Sequence, residues 1–223
     1  MAARKGGSGK TTLAAHLAVE AERAGDGPVT LIDIDPQQSL TAWWNDRPGE
    51  TPKLLDVARD KIKAELAKAS QAKGIVILDT PPLDSQAITT VIDVADLVII
   101  PVKPSPHDLR GVSVTVDLCK RSAKPFVFVV NQAIQRSQIT QQAVLALSQY
   151  GPVATSVIYN RVDYAGAMTD GRTAPELDTK GKAALEIIDL WKYVNVQMRK
   201  YVTGEDHGKA KSKGIDGRAS AAH

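Results

Sequence analysis

Two textures alternate along this chain. Short runs dominated by Val, Ile, Leu and Phe are separated by longer stretches in which apolar residues return at helical spacing. The runs are PVTLIDID (28–35), GIVILDTPP (74–82), DLVIIPVKP (96–104), KPFVFVVNQ (124–132) and PVATSVIYN (152–160). Each is apolar on consecutive positions rather than on every second one, which predicts strands covered on both faces, as in a parallel sheet. Helices are predicted over 11–24, 57–72, 85–94, 107–122, 139–150 and 182–201, with Gly25 and Gly27 closing the first. Strands and helices in alternation predict an α/β fold with a parallel sheet. At residue 203 the pattern stops. TGEDHGKAKSKGIDGRASAAH (203–223) is rich in Gly, Ser and Lys with almost no large apolar side chain. The expectation is one domain over 1–202 and a flexible polar tail.

Composition narrows this picture. Aromatic residues make up 4% of the chain, so the core must be built from aliphatic side chains. The 28 Lys and Arg against 25 Asp and Glu leave a net charge of +3, mild enough to fit weak, salt-sensitive contact with an anionic surface without requiring it. No apolar run approaches the length of a membrane span, and no secretory signal pattern opens the chain. The single cysteine, Cys119, excludes an internal disulfide and a cysteine-held metal cluster; the cytosol is the expected compartment.

The chemistry begins at Lys5-Gly6-Gly7-Ser8-Gly9-Lys10-Thr11-Thr12. Glycines let the backbone curl so that successive N–H groups point inward, and the start of the following helix adds partial positive charge. Lys10 is placed to reach terminal phosphates as a point charge, and the Thr11 hydroxyl to ligate Mg²⁺. The general pattern G-x-x-x-x-G-K-[ST] asks for glycine where Arg4 stands, and a second lysine, Lys5, heads the loop instead. In this the stretch resembles the deviant Walker A motif of the ParA/MinD superfamily at every position. The resemblance implies a P-loop NTPase with a three-layer α/β/α build and a mostly parallel sheet. It also implies that Gly6, Gly7, Ser8, Gly9, Lys10, Thr11 and Thr12 hold ATP, and that Lys5 crosses an ATP-dependent homodimer interface to the partner's phosphates.

Further polar residues stand at the ends of the apolar runs. Asp33 and Asp35, in LIDIDPQQSLTAWW, start on opposite faces of their strand, and the bare reading is that both cap the turn into the next helix. By resemblance to the family's D-x-D-P-Q-x-S motif, Asp35 orients the attacking water and Asp33 lies near the metal. Trp43 and Trp44 read as helix packing. Asp79 ends IVILD at the Walker B position, where a carboxylate can hold water of the Mg²⁺ shell. Asn131 ends another run; chemically it suits either a turn or an adenine edge, and the resemblance implies the latter. NRVDYAGAMTDGRTAPELD resembles a segment lying over the nucleotide, making Arg161 and Pro175 candidate contacts. His16 reads as a surface or packing residue, His107 as part of a cap, and Cys119 as buried and inert.

Within the superfamily, one cysteine excludes the iron–sulfur members, and the polar end of the chain gives no apolar face for membrane attachment. The chain is similar to small ParA-type partition ATPases without a helix-turn-helix extension. The resemblance implies an ATPase whose dimer binds DNA non-specifically on the nucleoid and is stimulated by a ParB-like centromere-binding partner. Lys192, Arg199 and Lys200, with Lys209, Lys211 and Lys213 of the tail, are the candidate DNA contacts. The alternative is a MinD-like positioning factor on a membrane or protein platform. The family also implies a central strand ahead of the loop, yet only four residues precede Lys5. The expectation is therefore a truncated first strand, unpaired ladder groups on its neighbours, and a natural start several residues upstream.

Overall fold

Four of the five apolar runs become strands in the computed structural model, which describes residues 1–3, 6–57, 61–69, 74–82 and 86–203. They are β1 (Val29–Asp33), β3 (Ile75–Asp79), β4 (Val98–Val102) and β5 (Phe126–Val130); a two-residue strand between them, β2 (Lys53–Leu54), is too short to leave a pattern in the sequence. All pairings are parallel, in the orders β2-β1-β3 and β4-β5. The six expected helices are α1 (Lys10–Arg23), α3 (Ile62–Ala69), α4 (Gln86–Val94), α5 (Pro106–Arg121), α6 (Gln138–Ser148) and α9 (Lys182–Thr203). Three short ones join them: α2 (Ser39–Asn45), α7 (Val162–Met168) and α8 (Ala174–Leu177).

Local chemistry explains several boundaries. Ser105 caps α5 by accepting from the Asp108 N–H at 3.2 Å, Pro106 opens the first turn, and Lys120 and Arg121 sit in the last turn, where they complement the helix dipole. Thr173 and Glu176 form a capping box at α8. The run 152–160 departs from expectation: it follows β5 only through two isolated parallel bridges, Phe128 with Val153 and Ala133 with Tyr159. Between the bridges Ser156 turns away to donate its hydroxyl to the Glu186 carbonyl of α9 at 2.9 Å, which interrupts the ladder.

Side chains leave the strands in alternation and enter different cores. Val127 and Val129 of β5 join Leu13, Leu17, Leu190 and Trp191 on one face, whereas Phe128 and Val130 join Ile88, Ile92, Val112 and Val116 on the other. Likewise Val29 and Leu31 of β1 face the α1 side, while Ile32 packs with Ile62 and Leu66. Helices therefore cover both faces, the three-layer arrangement expected of this sequence.

Residues 1–3 form no strand and lie in the seam between the two sheet units, where the central strand is expected. The Met1 amino nitrogen donates to the Leu78 carbonyl at 2.7 Å, the Thr80 hydroxyl donates to the Met1 carbonyl at 2.6 Å, and the Ala2 N–H donates to the Ile99 carbonyl at 3.0 Å. Both neighbouring strands are thus touched, but no ladder joins β3 to β4 among the described residues. Pro101 fits this seam. Val98 and Val102 bond toward β5, so Ile99 and Pro101 face the other edge, where a missing N–H removes nothing from the β4–β5 ladder.

Candidate functional site

The carboxyl ends of β1, β3, β4 and β5 converge on the turn that starts α1, the edge at which open parallel sheets carry their ligands. Within the loop Gly7 and Gly9 have φ of 73° and 87°, left-handed values that glycine alone adopts without strain. Gly9 is required for space as well: a β-carbon there would lie 2.3 Å from Nδ2 of Asn131. That closeness has a cause. The buried Asn131 amide donates to the Ser8 carbonyl at 2.7 Å, and the neighbouring Gln132 amide donates to the Gly7 carbonyl at 3.1 Å. Two loop carbonyls are thereby drawn toward β5.

Lys10 is 6% exposed. Burial pushes its ammonium below the usual range, while the nearby charges of Asp79 and Asp35 pull the other way. Thr11 donates its hydroxyl to Asp79 Oδ2 at 2.5 Å. The other oxygen, Oδ1 of the fully buried Asp79, has no hydrogen-bond partner among the described residues. Burial holds the Asp79 carboxyl above its ordinary range, against the Thr11 bond and the Lys10 charge. A buried carboxylate oxygen left unpartnered beside a threonine hydroxyl is a donor set that fits Mg²⁺. That ion keeps most of its water and takes few protein ligands. No cluster of three or more His, Cys, Asp or Glu suited to a metal occurs among the described residues.

The remaining candidates are distributed differently. Asp33 stays near enough to Asp79 to raise its pKa, yet both its oxygens are engaged: Oδ1 accepts from the Asp35 N–H at 3.0 Å, and Oδ2 from the Thr41 N–H at 3.0 Å and hydroxyl at 3.2 Å. Asp33 therefore builds the turn that carries Asp35. Asp35 accepts from the Gln37 N–H at 3.0 Å and lies close enough to Lys10 to affect its charge. Arg161 is bound to Glu186 (2.6 Å) and lies over the Tyr159 ring; its pKa is held up by those Glu186 bonds. Pro175 is buried in the first turn of α8. On α9, Lys192 pairs with Asp189 at 3.0 Å and Arg199 with Asp26 at 2.9 Å; Lys200 is exposed and lies in the last turn. Lys5, Lys209, Lys211 and Lys213 lie outside the described residues.

Three further residues lie near the loop, none of them a candidate site residue in the sequence. His16 is fully buried: its Nε2 accepts from the Ala174 N–H at 3.1 Å, so Nδ1 carries the proton and donates to the Thr12 carbonyl at 2.8 Å. Gln132 adjoins Asn131 and shares its task. Lys103, just past β4, brings its Nζ within 3.8 Å of where a β-carbon on Gly7 would sit. Of the three, Lys103 alone carries a usable signal, because a lysine directly after an apolar run stands at the ligand-bearing edge of the sheet.

Residues 1–174 match the family described as CbiA, the CobQ/CobB/MinD/ParA nucleotide binding domain. The chain belongs to this family. Within its reach, a relative from Halothiobacillus neapolitanus named Maintenance of carboxysome distribution protein A is 30% identical over 196 residues, covering 83% of this chain and 89% of that protein. Protein ParA from Rhizobium radiobacter is 29% identical over 178 residues, covering 78% of each. The solved structure of the septum site-determining protein MinD complexed with Mg-ADP, from Pyrococcus horikoshii OT3, is similar at a TM-score of 0.69 and 17% identity. It covers 87% of this chain and 93% of that one, and supports the fold. No helix among the described residues is long and apolar enough to cross a membrane.

Proposed function

We propose that the chain is a ParA-type ATPase. On this reading it binds Mg-ATP, dimerises in that state, holds DNA without sequence preference, and is stimulated to hydrolyse by a ParB-like partner that brings the cargo. The observation that carries the reading is the Thr11–Asp79 pair, with its unpartnered Oδ1 beside the buried Lys10. Thr11 and Asp79 would hold Mg²⁺, whose chemistry is to neutralise charge on the β- and γ-phosphate oxygens. The loop N–H groups and Lys10 bind the phosphates, and Asp35 orients the attacking water. Lys5 supplies a cation to the second copy, so that the dimer is the competent state. Asp33 enters as the support of Asp35, Asn131 and Gln132 as supports of the loop, and Arg161 and Pro175 as parts of the packed segment 159–178.

A second reading keeps the ATP switch and changes the platform. The likeness to a protein named for carboxysome distribution favours a positioning ATPase whose cargo is a protein body, and a membrane or protein surface could replace DNA. One experiment separates the platforms. Purified protein with Mg²⁺ and ATP is mixed at low salt with plasmid DNA or with anionic liposomes, and sedimentation and phosphate release are followed. ATP-dependent retention on DNA is expected. Sedimentation with liposomes and indifference to DNA would overturn the DNA reading.

A further inference from the structure

Lys103 has no role in the site described so far, and its surroundings give it one. The backbone that carries it is held on both sides: the Val102 carbonyl accepts from the Asn131 N–H at 2.9 Å, and the Lys103 carbonyl accepts from the Ser105 N–H at 2.8 Å. From that support the side chain extends over the phosphate loop to Gly7, whose carbonyl is drawn toward Gln132 on the β5 side. Lys103 as a residue is half-buried, and among the described residues its ammonium has neither a hydrogen bond nor an ion pair. Asp108, the carboxylate in the first turn of α5, is occupied by the Ser105 hydroxyl. An ammonium that has no anion in its own chain is open to one that a ligand supplies. Lys103 meets that condition beside a loop shaped for phosphate.

We propose that Lys103 is a further phosphate-binding residue, delivering an ammonium from the β4 side of the loop in the same chain, while Lys10 serves from α1. This rests on the nucleotide-binding reading above. A lysine binds phosphate as a point charge, so charge rather than shape is what the position requires.

The test compares Lys103→Met, which keeps length and loses charge, with Lys103→Arg, which keeps charge. Binding of a non-hydrolysable ATP analogue with Mg²⁺ is measured by calorimetry at several salt concentrations, with Lys10→Ala in parallel. Lys103→Met is expected to bind about 10- to 100-fold more weakly and with a flatter salt dependence, as befits removal of a charge-assisted hydrogen bond. Lys103→Arg is expected to stay within about threefold of the parent, because a retained charge keeps most of the interaction. Unchanged affinity and salt dependence in Lys103→Met, alongside a loss in Lys10→Ala, overturns the Lys103 assignment alone. An Arg variant as weak as the Met variant also overturns it, since packing would then be what the position supplies. A parent protein that binds no nucleotide overturns both this inference and the reading it rests on.

Discussion

His16 joins the first turns of α1 to the start of α8, and both ring nitrogens are committed to backbone groups, Thr12 on one side and Ala174 on the other. Accepting from an N–H requires the neutral ring. Burial accordingly pushes the imidazole down from 6.5 to about 4, against the Thr12 bond and the Glu176 charge. The folded pKa lies below the unfolded one, so the unfolded chain takes up the proton first as pH falls. The contribution is complete above about pH 6.5 and is lost progressively toward pH 4, amounting to about 3 kcal/mol over that window. His16→Gln cannot titrate. Urea midpoints measured at pH 7 and pH 4.5 should fall further in the parent protein than in this variant. Equal losses in the two would exclude His16 as the group responsible.

At the level of elements, β5 acts as the buttress of the phosphate loop, because the two residues past its end hold the Ser8 and Gly7 carbonyls. A residue that supports the loop affects every nucleotide alike, whereas one that reads the base affects only the preference among bases. Asn131→Ala should therefore weaken ATP, GTP and inorganic triphosphate together, by about tenfold, the typical effect of losing one buried hydrogen bond. A loss confined to ATP would return Asn131 to the adenine edge. Legibility divides along the same line. Strand ends carrying Asp33, Asp79 and Asn131 could be read as apolar runs closed by a polar residue, and the loop as a motif. The direction of the Asn131 amide could not, since it depends on how closely Gly9 approaches. Nor could the use of both Asp33 oxygens, because Thr41 lies eight positions on. His16 sits on an apolar helix face, where its partners, 158 residues away in the case of Ala174, leave no local trace. The edge strand β2 and the break at Ser156 arise from pairings made only after folding.

For the whole molecule, the proposed function requires that two copies double a weak surface, so that a mildly basic chain can hold DNA. Each α9 carries the exposed Lys192 and Lys200, and also Arg199, which pairs with Asp26 on the loop after α1. Lys192 has Asp189 as its neighbour at 3.0 Å, an exposed pair that water and salt screen and a phosphate can replace. Turnover obscures such a measurement by mixing nucleotide states, so it belongs in Asp35→Ala, which the mechanism above expects to bind ATP, hydrolyse negligibly and persist as a dimer. In that background DNA affinity is measured against salt with and without Lys192→Ala and Lys200→Ala combined. Removing both ammonium groups from each subunit should lower the slope of log K against log salt by about 3 to 4, at roughly 0.9 per phosphate neutralised. The ATP-loaded protein should sediment as a dimer whether or not the lysines are present, because they lie outside the nucleotide site. An unchanged slope would move the proposed DNA surface off α9, and rapid hydrolysis by Asp35→Ala would remove Asp35 from the role proposed for it.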